Sequence, residues 1–212
     1  MQTAFAVRPH HLSQERPPAI GASPPPTVFI VEPETSLRAT LAQTIAQAGW
    51  RPVVAATAEE FLDRPRVIAA GCLLVEQGLP GISGMELQGR VAERKELPVI
   101  FMSRRSDIRT TVQAMKAGAL DFLVKPLREE ALLRSIGLAI ELSATCVEEA
   151  ARLHDLHRCF LELSRREREV LQLVTAGRLN KQVGFDLGIS EITVKAHRGS
   201  VMRKMEAASL PD

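Results

Sequence analysis

Short continuous apolar runs, separated by segments with helical periodicity, constrain the fold of this chain more than any other feature. The runs are TVFIV from residue 27, PVVAA from residue 52, CLLV from residue 72, PVIFM from residue 98 and LDFLV from residue 120. After the first run, Leu37, Leu41 and Ile45 recur at helical spacing, and Gly49 ends the pattern. Because unbroken apolar strands are typical of sheets covered on both faces, we predict an α/β domain with a five-stranded doubly wound parallel sheet.

The pattern changes after residue 160, where the apolar strands stop and three short helical segments follow. The segments are SRREREVLQLVTAG, NKQVGFDLG and SEITVKAHRGSVMRKM. Gly177 and Gly188 are predicted to end the first two helices, and Ser190 is predicted to cap the third. Two helices joined by a short glycine-containing turn are typical of a helix-turn-helix, so a small all-α domain is predicted to follow the sheet.

Composition divides the chain further and excludes several classes of protein. We predict a disordered proline-rich arm at 1–26, the α/β domain at 27–143, a helical linker at 144–160 and the helix-turn-helix domain at 161–212. The 45% apolar and 25% charged content is typical of a globular protein. With no apolar run that could span a membrane, no signal peptide and no disulfide framework among three cysteines, we expect a cytoplasmic protein without membrane contact. Since the net charge is only +2, binding to nucleic acid would need a local basic surface.

Polar residues follow four of the predicted strands, at the edge where parallel sheets bind ligands. Glu32, Pro33 and Glu34 follow the first strand and Glu76 ends the third. Ser103 follows the fourth strand, and Lys125 with Pro126 follows the fifth. We therefore predict that two carboxylates, a hydroxyl and a lysine converge there. No Ser/His/Asp arrangement is recognisable, so we do not expect an enzyme.

Four stretches resemble the receiver domain of two-component response regulators, and the chain after residue 26 resembles FixJ/NarL-type transcription regulators. They are VFIVEPETSLRATL, CLLVEQGLPGISGMEL, LPVIFMSRRSD and VQAMKAGALDFLVKPL. In that family, two acidic residues hold Mg²⁺, and the resemblance aligns these with Glu32 and Pro33. It aligns the phosphoacceptor aspartate with Glu76 and the family's switch residues with Ser103, Phe122 and Lys125. It also implies a cis bond between Lys125 and Pro126.

The departures from the family pattern predict an atypical receiver. Pro33 removes a side-chain oxygen, so Mg²⁺ binding is expected to be weak or absent, and no other metal or cofactor is expected. Glu76 is one methylene longer than aspartate, which moves the carboxylate by roughly 1.5 Å. Phosphoryl transfer depends on positioning, so ordinary phosphorylation is not expected, and a Glu76–Lys125 ion pair is expected instead. Two alternatives stay open: Glu76 mimics a phosphoryl group, or the receiver is kept only as a dimerisation or docking platform.

The C-terminal stretch LSRREREVLQLVTAGRLNKQVGFDLGISEITVKAHRGSVMRKM resembles the LuxR-type helix-turn-helix. Apolar residues of the third helix, Ile192 and Val194 among them, are expected to face the domain core. The resemblance implies that this helix enters the major groove, with Lys195, Ala196 and Arg198 approaching bases. Gly199 stands where some relatives carry a basic contact residue. The residues expected at phosphates are Asn180, Lys181, Gln182, Thr193, His197, Arg203 and Lys204.

The resemblance implies a fourth helix after residue 210, whereas this sequence ends at Asp212. Either that helix is absent or the chain is truncated, so dimerisation is expected through the receiver and the following helix. The expected dimer face comprises Met115, Phe122, Leu132, Ile136, Ile140 and Val147. The predicted function is transcription regulation as a homodimer on double-stranded promoter DNA. A sensor kinase or other regulatory protein, and RNA polymerase, are the further partners considered. The alternative is a receiver that senses a protein or small ligand and controls transcription through a partner.

Overall fold

A computed structural model describes residues 25–66, 68–104 and 108–207. Five parallel strands form one sheet in the order β2-β1-β3-β4-β5, as the apolar runs predict. The strands are β1 Thr27–Val31, β2 Arg51–Ala55, β3 Gly71–Glu76, β4 Val99–Ser103 and β5 Asp121–Val124. The register pairs Val31 with Val75, and Glu76 with Met102, so the strands end together at one edge of the sheet.

Five helices cover the two faces of this sheet. They are α1 Thr35–Gln47, α2 Ala58–Leu62, α3 Gly84–Val91, α4 Ile108–Lys116 and α5 Glu129–Leu161. Alternate residues of each strand enter opposite cores: Phe29 of β1 packs with side chains from α2, α3 and α4. Val28 and Ile30 pack with side chains from α1 and α5. Because both faces are covered, the first, third and fourth strands are apolar apart from their end residues.

The helix α5 is continuous over 33 residues and includes the stretch predicted as a separate linker. Its first part packs on the sheet through Leu132, Ile136 and Ala139. Every side chain from residue 148 to residue 158 is exposed. At its far end, the Arg168 guanidinium lies over the Phe160 ring at 5.3 Å. One uninterrupted helix therefore joins the sheet to the C-terminal helices.

Three helices follow: α6 Arg165–Thr175, α7 Asn180–Leu187 and α8 Glu191–Lys204. They share a small core of Val170, Val183 and Val194. The turn between α7 and α8 is tight, and Gly188 adopts φ of +66° there, a conformation that favours glycine. A Cβ on Gly184 would lie 2.7 Å from the Ile189 carbonyl oxygen, so only glycine fits beside the turn. The predicted helix-turn-helix is confirmed, as is the Ser190 cap, which accepts a hydrogen bond from the Thr193 amide at 3.1 Å.

Several expectations need correction or fall outside the described residues. Leu132 and Ile136 are 2% and 0% exposed, because both point into the core between α5 and the sheet, so neither can form a dimer surface. Ile192 is 80% exposed and does not pack in the core of the C-terminal domain. The predicted arm lies outside the described residues apart from its last two. The cis bond between Lys125 and Pro126 is confirmed. Within the described ranges, none of the helices combines the length and apolarity that a membrane span requires.

Candidate functional site

The strand ends form an open cleft of about 560 Å³, at the edge where the sequence predicts a cluster of polar residues. Its lining comprises Glu32, Pro33, Glu34, Glu76, Gln77, Gly78, Ser103, Arg104, Thr110 and Lys125. The residues predicted to converge from four strands therefore do so. They meet because parallel strands bring their carboxyl ends to the same edge of the sheet.

Lys125 binds two carboxylates at the floor of the cleft. Its ammonium lies 2.6 Å from the Glu32 Oε2 atom and also forms an ion pair with the Glu76 Oε2 atom. The side chains of Glu32 and Lys125 are only 1% and 9% exposed, so little solvent screens the pair. The expected Glu76–Lys125 pair is present. Glu32 is a second partner of the lysine that sequence reasoning did not identify.

The remaining oxygen of each carboxylate accepts a backbone hydrogen bond. The Glu34 amide donates to the Glu32 Oε1 atom at 3.1 Å, and the Gly78 amide donates to the Glu76 Oε1 atom at 3.2 Å. In addition, Arg38 donates to the Glu32 carbonyl oxygen at 2.6 Å. Each carboxylate is thus held at both oxygens by the protein. One ammonium group thus pairs with two carboxylates at the floor of the cleft.

The residues of this cleft do not suit Mg²⁺, the ion that a receiver fold implies. Mg²⁺ needs near-octahedral oxygen ligands at about 2.1 Å. The Glu32 Oε2 and Glu76 Oε2 atoms are both bound to Lys125, and Pro33 offers no side-chain oxygen. An ion at this site would have to displace the lysine from both carboxylates. Lys125 therefore supplies the positive charge that an ion would otherwise bring.

A second ion pair crosses the mouth of the cleft. Arg104, which follows β4, binds the Glu34 carboxylate, which follows β1. Ser36 donates a hydrogen bond to Glu34 at 2.9 Å. This hydrogen bond, followed by the nearby Arg104 charge, lowers the pKa of the Glu34 carboxyl. No sequence signal linked these residues, because they lie 70 positions apart and both are exposed.

Besides Lys125, the other two expected switch residues lie on β4 and β5, the strands next to the cleft. Ser103 is 4% exposed, and its carbonyl oxygen accepts the Lys125 amide at 2.8 Å. Phe122 is half-buried and packs against Phe101, with ring centroids 6.0 Å apart. Ser103 therefore ends β4 beside Lys125, and Phe122 lies on β5, three residues before Lys125.

The outward face of α8 is a stripe of five exposed residues. It consists of Ile192, Lys195, Ala196, Gly199 and Arg203. The opposite face carries Val194 and Val201, which are buried against the other two helices. Lys195 forms an ion pair of 3.3 Å with Glu191 and keeps 63% of its side chain exposed. The stripe is the part of this domain that a DNA groove could receive.

The other residues expected to contact DNA differ in how far their side chains are exposed. Lys181, Gln182 and Thr193 are exposed, and His197 is half-buried. Arg198 turns back toward α7, where it donates to the Asn180 Oδ1 atom at 2.6 Å, and both residues are half-buried. The structure therefore does not bring Arg198 to the outward face with Lys195 and Ala196.

Lys204 has a structural role that differs from the expected phosphate contact. Its ammonium lies 2.7 Å from the Glu167 carboxylate and donates to the Glu162 carbonyl oxygen at 3.2 Å. Glu167 also accepts the Ser200 hydroxyl at 2.6 Å and the Ser164 amide at 2.7 Å. The hydrogen bond from Lys204, followed by that from Ser200, lowers the pKa of Glu167 to about 2. The Ser164-x-x-Glu167 spacing is a capping-box signature that could have identified this buried carboxylate.

The residues left on the expected dimer face are only partly accessible. Met115 is 44% exposed, whereas Phe122, Ile140 and Val147 are half-buried. Along the same helix α5, other apolar side chains are exposed without having been predicted. They are Leu138, Leu142, Leu153, Leu156, Phe160 and Leu161. Any contact made by α5 would therefore use this stripe rather than Leu132 and Ile136.

Comparison with known proteins found relatives that cover both sites. A family model described as "Response regulator receiver domain" matches residues 28–137, and one described as "Bacterial regulatory proteins, luxR family" matches residues 161–212. The response regulator protein TmoT of Ectopseudomonas mendocina is 39% identical over 186 residues, which are 87% of this chain and 84% of TmoT. The solved structure of the response regulator StyR has a TM-score of 0.79 at 39% identity and covers 89% of this chain and 96% of its own. Full-length FixJ from B. japonicum has a TM-score of 0.54 at 31% identity, covering 88% and 92%.

Proposed function

Because this chain belongs to the response regulators with a LuxR-type DNA-binding domain, we propose that it regulates transcription from promoter DNA in the cytoplasm without aspartyl phosphorylation. The observation that carries this proposal is the bridge from Lys125 to both Glu32 and Glu76. Phosphoryl transfer needs a metal ion to neutralise charge and a well-placed nucleophile. In this cleft, the lysine occupies both carboxylates, and Glu76 is bound at both oxygens.

Of the two roles considered for such a receiver, a permanent platform has more support than a mimic of phosphorylation. A phosphoryl group brings three oxygens and a charge of about −1.5 to −2, whereas Glu76 brings two oxygens and one negative charge. Both oxygens of Glu76 are used within the cleft floor, by Lys125 and by the Gly78 amide. The carboxylate therefore has little capacity left to reposition Ser103 as a phosphoryl group would.

Treatment with a phosphodonor is the direct test of this proposal. We expect acetyl phosphate with Mg²⁺ to leave the intact mass of the full chain and its sedimentation coefficient unchanged, because the cleft neither suits the ion nor frees Glu76. Mass spectrometry and sedimentation velocity measure the two quantities, and a receiver domain with the usual aspartate serves as the positive control. A stoichiometric adduct of about 80 Da, the mass expected of HPO₃, on Glu76 would contradict the proposal.

A different candidate function is a sensor that works through a partner. The open cleft of about 560 Å³ supports it, because Arg104 and Glu34 at its mouth offer charges of both signs to a protein or small ligand. A sensor kinase or another regulatory protein is the partner proposed for this surface, and RNA polymerase is the partner proposed at the promoter. A protein or small ligand that binds at the mouth of the cleft and changes the affinity of the full chain for DNA would favour this candidate.

For the DNA-binding domain, we propose that the outward face of α8 reads base pairs in the major groove. Lys195 and Ala196 lie near the helix N-terminus, which is the part of a recognition helix closest to base edges. Lys181, Gln182, Thr193 and Arg203 are exposed and are proposed to contact phosphates. Arg198 and Lys204 are not part of this proposal, because each is half-buried and bound to another helix or segment of the domain.

Substitution of Lys195 and of Arg203 should weaken DNA binding in different ways. Lys195→Ala is expected to cost about 1–3 kcal/mol on a preferred duplex and to relax sequence preference at one base pair. Arg203→Ala is expected to weaken all duplexes alike and to reduce the slope of log K against log salt by about one unit. Fluorescence anisotropy with preferred and scrambled duplexes across a salt series separates the two effects. If both variants bind both duplexes as the parent does, α8 is not the reading helix.

We also propose that the chain acts as a homodimer, because helix-turn-helix proteins read two half-sites about one helical turn apart. The corrected surface combines Met115 on α4 with the exposed apolar stripe of α5, which includes Leu138 and Leu142. A second copy of the chain could cover Met115 and the apolar stripe of α5 together. Sedimentation velocity of the full chain also measures its oligomeric state. A chain that stays monomeric at tens of micromolar would contradict the proposed homodimer.

A further inference from the structure

Ile192 lies on the outward face of α8, and the described core of this domain does not include it. The residue is 80% exposed in the first turn of the helix. The core of this domain is filled by Val194 and Val201 from the opposite face of α8. Ile192 therefore contributes little buried apolar surface to the described core of this domain. Its exposure on the face proposed to enter the groove leaves this β-branched side chain accessible to an apolar group of the DNA.

The neighbouring side chains narrow the chemistry of that ligand. Lys195 and Ala196 follow Ile192 by three and four residues and so lie on the same face of the helix. The Glu191 carboxylate is paired with Lys195 at 3.3 Å, and the Thr193 hydroxyl is bonded to the Ser190 hydroxyl at 2.7 Å. Each of these polar groups therefore has one partner at the start of the helix, and Lys195 keeps 63% of its side chain exposed. Ile192 is the apolar group that the beginning of α8 presents outward.

We propose that Ile192 determines sequence specificity by contacting the C5-methyl group of a thymine. Ile192 lies three residues before Lys195 on α8, so this thymine belongs to a base pair next to the one that Lys195 approaches. The inference rests on the proposed role of α8 as the reading helix. In the major groove, the thymine methyl is the apolar group that distinguishes a base pair, and it is recognised by apolar side chains. Small residues support a close approach of the helix, because Ala196 is exposed and a Cβ on Gly199 would meet nothing within 4 Å.

Uracil scanning tests this contact, because uracil differs from thymine only by the missing methyl. The full chain first selects a preferred duplex from a randomised pool, and each thymine of that duplex is then replaced by uracil in turn. We expect one thymine in each half-site at which uracil weakens the parent about fourfold, the value for one buried methyl-sized group. Ile192→Ala should bind the thymine and uracil duplexes equally at that position and keep the parent's response at all others.

Two further variants make the result specific. Ile192→Val keeps a β-branched apolar side chain and should keep the response to uracil. Ile108→Ala is a matched control, because Ile108 is 81% exposed but lies on α4 of the receiver, and it should behave as the parent. If every uracil penalty persists in Ile192→Ala, or if the selected duplex contains no thymine, the inference is wrong. If Lys195→Ala also keeps the parent's sequence preference, the failure belongs instead to the proposed role of α8.

Discussion

Replacement of Lys125 by methionine is expected to destabilise the receiver by about 3–5 kcal/mol, the usual cost of removing one partner from a buried ion pair. The variant would leave Glu32 and Glu76 facing each other, with side chains only 1% and 11% exposed and no cation between them. Urea unfolding of the full chain, followed by far-UV circular dichroism, measures the loss of free energy. The transition of the DNA-binding domain should be unchanged, because Lys125 lies on the receiver.

Two other variants show whether charge is the cause of this loss. Lys116→Met removes an exposed lysine at the end of α4 and should change the free energy of unfolding by less than about 0.5 kcal/mol. The triple variant Glu32→Gln, Glu76→Gln and Lys125→Met removes all three charges and should recover most of the stability. A Lys125→Met protein as stable as its parent would mean that the bridge is not buried in solution.

Replacement of Glu167 by alanine is expected to destabilise the DNA-binding domain by about 3 kcal/mol. The estimate combines about 1 kcal/mol for the helix cap with about 2 kcal/mol for hydrogen bonds to a charged group. Glu167 accepts bonds from the Ser164 amide on its own helix and from Ser200 and Lys204 on α8. The loss would loosen α8 from α6, so affinity for DNA should fall together with stability. Thermal unfolding and anisotropy measure the two effects.

The acid dependence of stability should report the same carboxylate. Because the folded-state pKa of Glu167 is about 2, below its ordinary value of 4.5, its ionised form is favoured by folding. Its contribution is therefore fully present above about pH 4.5 and is lost as the pH falls toward 2. The difference in stability between the parent and Glu167→Ala should shrink over this range. Glu169→Ala is the matched control, because Glu169 pairs with Arg165 and Arg166 at the surface of the same helix. This variant should cost less than about 1 kcal/mol. An equal loss in both variants would mean that the contacts to α8 contribute nothing.

The strands and most helix ends were predictable because local signals determine them. TVFIV is apolar at every position after Thr27, since β1 is buried on both faces. Gly118, Gly177 and Gly188 end their helices with positive φ, as expected of glycine at that position. The convergence of Glu32, Glu76 and Lys125 followed from parallel topology alone.

The directions of side chains were less predictable where apolar residues surround a helix. In α5, Leu132, Ile136, Leu138 and Leu142 occupy several faces, so periodicity did not identify which side meets the sheet. The same ambiguity concerned Ile192, whose apolar character suggested the core. Pairings between distant residues, such as Arg104 with Glu34 or Arg198 with Asn180, depend on rotamers that no sequence pattern specifies.

Because α5 is continuous, the two domains are connected by helical backbone and not by a loop. With a rise of 1.5 Å per residue, its 33 residues span about 50 Å from the sheet to α6. Each residue inserted into or deleted from the exposed stretch 148–158 would rotate everything beyond it by about 100°, whereas a change of seven residues would nearly restore the original phase. A change in the length of this helix would therefore alter the rotation of the DNA-binding domain about the helix axis more than its distance from the sheet. A flexible linker would tolerate any small change in length, but here the helical phase determines which side of DNA α8 can approach.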